Sequence, residues 1–82
     1  MDATLRTIED FVRRTSPGAD ENGRPIASMA VDKVFDSIAM VDFLAFLEHS
    51  FGIRISDADV LPQNFRDFAS VARLVDSKRA TA

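Results

Sequence analysis

Residues 36–52 read DSIAMVDFLAFLEHSFG, and this stretch decides how the chain folds. It opens with Asp36 and closes with Gly52, residue types that favour the start and the end of a helix. When each residue advances by about 100° from Ser37, one cluster of apolar side chains falls between about 240° and 340°. That cluster consists of Met40, Phe43, Leu44, Leu47 and Phe51. The pattern predicts a helix over residues 37–51 with Asp36 as its N-cap and one apolar face in a core.

A second apolar strip lies on another side of this predicted helix, between about 40° and 100°. It consists of Ile38, Val41 and Ala45, and charged or polar residues at positions 42, 48 and 49 flank it. Since one helix of a small bundle faces a single core, the strip is either an exposed docking site rimmed by charge or the seat of the preceding loop. The angular pattern leaves both alternatives open, and Phe46, near 180°, is ambiguous in the same way.

Three further helices are predicted outside this stretch. Residues 3–15 and residues 67–78 carry apolar side chains at three- and four-residue spacing, which is typical of amphipathic helices. Ser56 and Asp59 have capping-box spacing and open a short helix over residues 57–61, which Pro62 ends. The last few residues of the chain are expected to be frayed.

The segment between the first two main helices lacks clear periodicity, so we predict a long loop there. Its available apolar anchors are Ile26, Met29, Val31, Val34 and Phe35. No segment of comparable length shows the alternation of a strand. Residues 1–82 are therefore expected to form a single all-α domain, a four-helix bundle of three main helices and one short helix.

The composition excludes several classes of function. The 82 residues include no cysteine, which removes disulfides and thiolate metal sites and makes a cytoplasmic location the simplest expectation. Residues 32–59 hold six acidic and two basic side chains within a chain of net charge −3. This stretch repels phosphate backbones, which argues against nucleic-acid binding, and it attracts basic protein surfaces. No apolar run approaches the roughly 18 residues of a membrane span.

Intrinsic catalysis is not expected. Ser37 stands in the first turn of the predicted helix, where a phosphate ester is favoured by free backbone N–H groups and the helix dipole. His49 is the single histidine, and twelve residues of helix put it about 18 Å along the axis and about 120° around it from Ser37. A base must reach its nucleophile within a hydrogen bond, so the two residues form no dyad. Residues 56–59 lack the Gly and the distal Glu of a calcium loop, so no metal site is expected.

These residues resemble a known family. Asp36-Ser37-Ile38 looks like the Asp-Ser-Leu signature of acyl carrier proteins, and residues 40–48 resemble the recognition helix of that family. Residues 51–55 resemble the turn that follows it, and residues 59–65 resemble the segment that enters the last helix of stand-alone carriers. The resemblance covers residues 36–75 and implies a small acyl-carrier-like bundle, to which the first predicted helix adds a compatible amphipathic segment.

The resemblance also implies a function for individual residues. Ser37, beside Asp36, would carry 4′-phosphopantetheine, attached by a phosphopantetheinyl transferase from coenzyme A, and the thiol of that arm would hold an acyl group as a thioester. The apolar residues expected to line or border an acyl cleft are Met40, Phe43, Leu47 and Phe51, although a plain core role fits them equally. The residues that match partner-contact positions of the family are Ile38, Val41, Asp42, Ala45 and Glu48.

Departures from the family's pattern bear on the cargo. Fatty-acid carriers usually have Gly three residues before the serine and an acid two residues after it, and here these positions are Val34 and Ala39. We therefore expect a specialised, monomeric, stand-alone carrier in lipid or secondary metabolite biosynthesis, with a dedicated acyl or aminoacyl loading enzyme and a downstream acyltransferase or synthase. The alternative is a helical protein-interaction module that docks through residues 37–49 without any cofactor.

Overall fold

Four α-helices and two 3-10 turns make up the structure, a computed structural model that describes residues 2–81. In chain order these are α1 (Asp2–Thr15), a 3-10 turn (Ile26–Ser28), α2 (Val31–Val34), α3 (Ser37–Phe51), a second 3-10 turn (Asp57–Asp59) and α4 (Phe68–Thr81). The all-α class predicted from the sequence is confirmed, since residues 2–81 contain no β-strand beyond an isolated bridge between Ala30 and Asp67.

Helix α3 has the bounds that its sequence predicts, because both of its ends are fixed locally. The Oδ1 of Asp36 accepts a hydrogen bond from the backbone N–H of Ala39 at 2.8 Å, which caps the first turn. Gly52 follows the last turn with φ of 64°, and its N–H donates to the carbonyl oxygen of Glu48. A residue without a Cβ adopts this left-handed conformation at little cost, so Gly52 ends the helix.

The last helix is longer than its apolar pattern predicts. Asp67 caps it, because its Oδ1 accepts hydrogen bonds from the backbone N–H and the hydroxyl of Ser70 at 2.8 and 2.7 Å. The helix continues to Thr81, so the predicted end at 78 is wrong, while the fraying of the last residues stays a prediction and residue 82 lies outside the described residues. Tertiary contacts hold this last part: Lys78 bonds to Asp59, and Arg79 lies over the ring of Phe51 at 5.7 Å.

Two corrections concern the shorter elements. The segment predicted as one long loop contains the first 3-10 turn and α2, which are too short to produce a periodic pattern. The helix predicted over 57–61 is only a 3-10 turn over Asp57–Asp59, although the predicted capping box between Ser56 and Asp59 is present. Pro62 disfavours helical backbone at Leu61, so the 3-10 turn ends before it. A separate turn follows, in which the N–H groups of Asn64 and Phe65 donate to the carbonyl oxygen of Leu61.

A network of phenylalanine rings links the buried centre of the core to its half-buried edge. Its members are Phe11, Phe35, Phe43, Phe46, Phe51 and Phe68, with adjacent ring centroids 4.2 to 6.4 Å apart. Aliphatic residues of α1 and α4 surround the rings, and Phe43 and Leu47 of α3 are fully buried among them. Since these residues lie on one side of α3, the helix is anchored by that side and turns the opposite side outwards.

Candidate functional site

Ser37 is the first residue of α3 and is exposed to solvent. Within residues 2–81 no group is hydrogen-bonded to its hydroxyl, while the neighbouring carboxylate of Asp36 is directed to the N–H of Ala39. The backbone N–H groups of Ser37 and Ile38 likewise have no acceptor in the described part of the chain. The start of α3 therefore presents a free hydroxyl and two free N–H donors in a region where the helix dipole favours negative charge.

The strip beside Ser37 is exposed, which rules out that the preceding loop covers it, while its use as a docking site stays a prediction. Ile38 is 77% exposed and Val41 is 65% exposed, values far above those of the core residues of the same helix. Asp42 and Ala45 are exposed as well. The loop that precedes α3 thus does not cover this strip. We call these four residues together with Ser37 the outer face of α3.

Two residues predicted near this face are held by other parts of the chain. Glu48 is half-buried, and its Oε2 accepts a hydrogen bond from the backbone N–H of Ile55 at 2.7 Å, which ties the segment after α3 to the helix. The contact of Glu48 with a partner stays a prediction, and the second oxygen of the carboxylate would make that contact. Phe46, ambiguous by its angle, stacks on Phe11 of α1 with ring centroids 4.2 Å apart. His49 is exposed near the far end of α3.

One flank of α3 borders a groove with a volume of about 480 Å³, which we call the Met40 groove. It is lined by Ala30, Asp32, Met40, Pro62, Phe65 and Arg66. Of the four residues expected at an acyl cleft, only Met40 lines it. Phe43 and Leu47 are fully buried in the core, and Phe51 contacts Phe46 and Arg79.

Sequence reasoning missed the opposite wall of the Met40 groove. Pro62 and Phe65 belong to the segment 59–65, whose likeness to the carrier family was the one available signal for a role there. Val60 and Leu61 of the same segment are also exposed, at 43% and 39%. The segment is held in place by Asn64, whose Nδ2 donates to the carbonyl oxygen of Asp59 at 2.9 Å.

The other flank of α3 borders a smaller cavity of about 260 Å³, which we call the α1–α3 hollow. Its lining comes from the end of α1, the end of α2 and the first part of α3, together with residues next to these helix ends: Phe11, Thr15, Ser16, Val34, Phe35, Asp36, Ala39 and Asp42. No Lys or Arg among residues 2–81 lies within ion-pair distance of Asp36 or Asp42. Sequence patterns gave no signal for this cavity, because its two walls are at least 18 residues apart in the chain.

The carboxyl groups whose pKa values are shifted, those of Asp59 and Asp67, take part in contacts that hold the structure and lie outside α3. The hydrogen bond from Lys78, supported by the backbone N–H of Ser56, lowers the pKa of Asp59. The hydroxyl of Ser70 lowers the pKa of Asp67 in the same way. Within the described residues no group of three or more acidic or histidine side chains is arranged to hold a metal ion. None of the helices that the structure describes is both long and apolar enough to cross a membrane.

Comparisons with known proteins add no family to this geometry. A scan of family models, a search of curated proteins and a search of solved structures each gave no match for the chain.

Proposed function

We propose that the chain is a carrier protein that holds an acyl or aminoacyl group as a thioester on a 4′-phosphopantetheine arm attached to Ser37. The observation that carries the proposal is the exposed Ser37 hydroxyl at the first position of α3, directly after a capping aspartate. It agrees with the Asp-Ser-Ile signature and with the order of the three main helices expected of an acyl-carrier-like bundle. The protein would thus be a shuttle and not an enzyme.

The surroundings of Ser37 fit the proposed group. Attachment forms a bond between the Ser37 oxygen and the phosphorus of the pantetheine phosphate, breaks the pyrophosphate bond of coenzyme A and releases its nucleotide part, while the hydroxyl proton leaves through the transferase. The resulting phosphodiester would lie near the free N–H groups of Ser37 and Ile38, which favour an anion. Asp36 directs its carboxylate to Ala39 and so leaves the serine oxygen accessible. The arm supplies the thiol that this cysteine-free chain lacks.

The outer face of α3 would bind the enzymes that the carrier serves. These are a phosphopantetheinyl transferase, a dedicated acyl or aminoacyl loading enzyme and a downstream acyltransferase or synthase. Ile38 and Val41 supply exposed apolar contacts, and the acidic stretch around them attracts basic surfaces. A monomeric carrier in the cytoplasm, active in lipid or secondary metabolite biosynthesis, remains the prediction from the sequence.

The Met40 groove would receive the cargo or the inner part of the arm. Its volume of about 480 Å³ lies in the range of small-molecule sites, roughly 300–1,000 Å³. Met40 stands one turn of helix from Ser37, so both are reached from the same end of α3. Phe43 and Leu47, which are fully buried, would act as core residues behind it.

The experiment that tests the proposal is the intact mass of the purified chain before and after incubation with coenzyme A and a promiscuous phosphopantetheinyl transferase. We expect a gain of one phosphopantetheine that Ser37→Ala abolishes. Ser50→Ala is the matched control, since Ser50 is an exposed serine at the other end of α3, and it should be loaded like the unchanged chain. A folded chain that gains no mass would favour the second candidate, an interaction module that docks through residues 37–49.

The second candidate has one specific observation in its favour. Large exposed apolar residues such as Ile38 and Val41 serve protein contacts whether or not Ser37 is modified. The two candidates differ in what Ser37→Ala does in the cell. The carrier loses its function with this substitution, whereas the interaction module keeps it.

A further inference from the structure

A further cavity, of about 450 Å³, lies beside α2, and we call it the α2 pocket. Its apolar lining consists of Ala19, Met29, Ala30 and Val34, and its polar lining consists of Asn22, Arg24 and Lys33. It shares only Ala30 with the Met40 groove and only Val34 with the α1–α3 hollow. The three polar residues therefore line neither of the cavities that border α3.

The α2 pocket has an apolar floor and a cationic rim. Met29 is buried and Val34 is half-buried against the core, whereas Arg24 and Lys33 are exposed. Asn22 is exposed as well and adds an amide that can donate hydrogen bonds. No acidic residue of the described part of the chain lines the pocket. An apolar floor below two positive charges is complementary to an organic anion.

The two charges of this rim are not neutralised within the described part of the chain. No carboxylate there lies within ion-pair distance of Arg24 or Lys33. Acidic side chains of the same segments are placed elsewhere, since Asp20 pairs with Arg13 at 3.3 Å and Asp32 lines the Met40 groove. The negative charge that balances the rim therefore has to come from another molecule.

The backbone around the α2 pocket is fixed before any ligand binds. On one side, the N–H of Gly23 donates to the carbonyl oxygen of Asp20 at 3.0 Å, and the φ of 75° at this glycine turns the chain between two polar residues of the rim. On the other side, the N–H of Lys33 donates to the carbonyl oxygen of Ala30 at 3.1 Å. A ligand would thus order side chains only, which lowers the cost of binding.

We propose that the α2 pocket binds a small organic phosphate, a phosphate monoester with a compact apolar body. Such a group carries a charge of about −1.5 to −2 at neutral pH and three acceptor oxygens, which match two cations and an amide donor. The guanidinium group of Arg24 would bind two of the oxygens, and the ammonium group of Lys33 would add a point charge. The body would pack on Met29 and Val34, in a volume within the range of small-molecule sites, roughly 300–1,000 Å³. A carboxylate would balance only one of the two cations.

The test is a titration of the ¹⁵N-labelled, unmodified chain with phenyl phosphate at about pH 7.5, where the phosphate is mostly dianionic, followed by amide shifts in NMR spectra. Phenyl sulfate is the matched control ligand, since it has nearly the same shape with a single charge, and inorganic phosphate is the control without the apolar body. We expect saturable shifts in the millimolar range, confined to residues around the pocket such as Asn22, Ala30 and Lys33. Both control ligands should bind about fivefold more weakly. Because the chain carries no phosphopantetheine here, the outcome is independent of whether Ser37 is loaded.

Two substitutions decide whether the rim is responsible. Arg24→Gln and Lys33→Gln should each weaken the binding of phenyl phosphate about fivefold, the fold-change that corresponds to about 1 kcal/mol for an exposed charge pair. Arg54→Gln is the matched control, because Arg54 is also exposed and has no ion pair within residues 2–81 but lies outside the pocket. Equal binding of either control ligand, shifts spread over all basic residues, or an equal loss with Arg54→Gln would overturn the proposal.

Discussion

The Nζ of Lys78 donates a hydrogen bond to the Oδ2 of Asp59 across 2.6 Å, joining the last helix to the 3-10 turn in the segment that walls the Met40 groove. The same carboxylate oxygen accepts from the N–H and the hydroxyl of Ser56 at 2.9 and 3.1 Å. Asp59 is thus the point where the segment after α3 is fixed to α4. This contact adds to the burial of Ile53 and to the packing of Ile55 and Phe65 against the core.

The first prediction concerns the pH dependence of stability. Since the hydrogen bond from Lys78 lowers the pKa of Asp59 in the folded chain, folding favours the ionised carboxylate of Asp59 over the protonated form. This contribution is complete above the unfolded value of about 3.9 and is lost as the pH falls through the folded pKa. Urea unfolding followed by circular dichroism should show stability falling in acid, and Asp59→Asn should reduce that fall.

A matched substitution tests whether the effect belongs to this contact. Asp57→Asn changes an exposed neighbour in the same turn and should leave the pH dependence as in the unchanged chain. Asp67 contributes in the same direction, because the hydroxyl of Ser70 also lowers its pKa. An acid transition that is the same in Asp59→Asn and in the unchanged chain would argue against the Lys78 contact in solution.

The second prediction concerns the aromatic core. Phe43 is fully buried and contacts the rings of Phe11, Phe35 and Phe68, so Phe43→Ala leaves a cavity that these rings cannot fill. A loss of about 3–5 kcal/mol in the free energy of unfolding is expected. In a small domain this is a large share of the total, and thermal unfolding should shift strongly or become undetectable. Val41→Ala, which changes an exposed residue of the same helix, should stay within about 0.5 kcal/mol.

The third prediction concerns the end of α3. Gly52 has φ of 64°, and a Cβ added there would meet no atom within 4 Å, so any cost of Gly52→Ala comes from the backbone alone. We expect a loss of about 1 kcal/mol, the penalty of an L-residue in this conformation. Gly52→Asn should lose less, because asparagine visits the left-handed region more readily. Equal losses in both variants, measured by urea unfolding, would point to a cause other than the dihedral angle.

The fourth prediction follows from the proposed function. Val41→Asp should raise the KM of the phosphopantetheinyl transferase for the chain by about tenfold, because it introduces a charge where an apolar contact is expected. Stability should hardly change, since Val41 is 65% exposed. Val60→Asp is the control with the same chemical change at another exposed valine, 43% exposed, outside α3. Initial rates of mass gain measure the effect, and a comparable rise in both variants would contradict docking on the outer face.

The fold was predictable where local signals are complete. Helix α3 has its cap, its apolar spacing and its terminating glycine within one stretch, and its bounds follow from them. The four residues of α2 are too few for a periodic pattern, and they are held instead by the burial of Val31 and by its N–H, which donates to the carbonyl oxygen of Arg66. The final turn of α4 is held by contacts with Asp59 and Phe51, which are distant in sequence. The apolar pattern of the helix therefore predicted an end that is too early.

The candidate site was predictable to the same extent. The cap at Asp36 and the place of Ser37 in the first turn depend on adjacent residues, so the sequence alone predicted both, while the chemistry of Ser37 stays a prediction. Whether Ile38 and Val41 are covered depends on the path of the preceding loop, and that loop carries no periodic pattern. Their exposure in the structure shows that the loop does not cover them. The Met40 groove and the α1–α3 hollow each combine α3 with a segment far away in the chain, which no local pattern describes.

The geometry of α3 has a consequence for engineering. The helix turns Met40 to a groove on one flank and Ile38 and Val41 to solvent on another, while Phe43 and Leu47 anchor it from behind. In a carrier, substitutions that redirect the protein to a different enzyme and substitutions that fit it to a different cargo would then fall on separate sides of one helix. Partner choice and cargo choice could be retuned one at a time, without touching the residues that keep the domain folded.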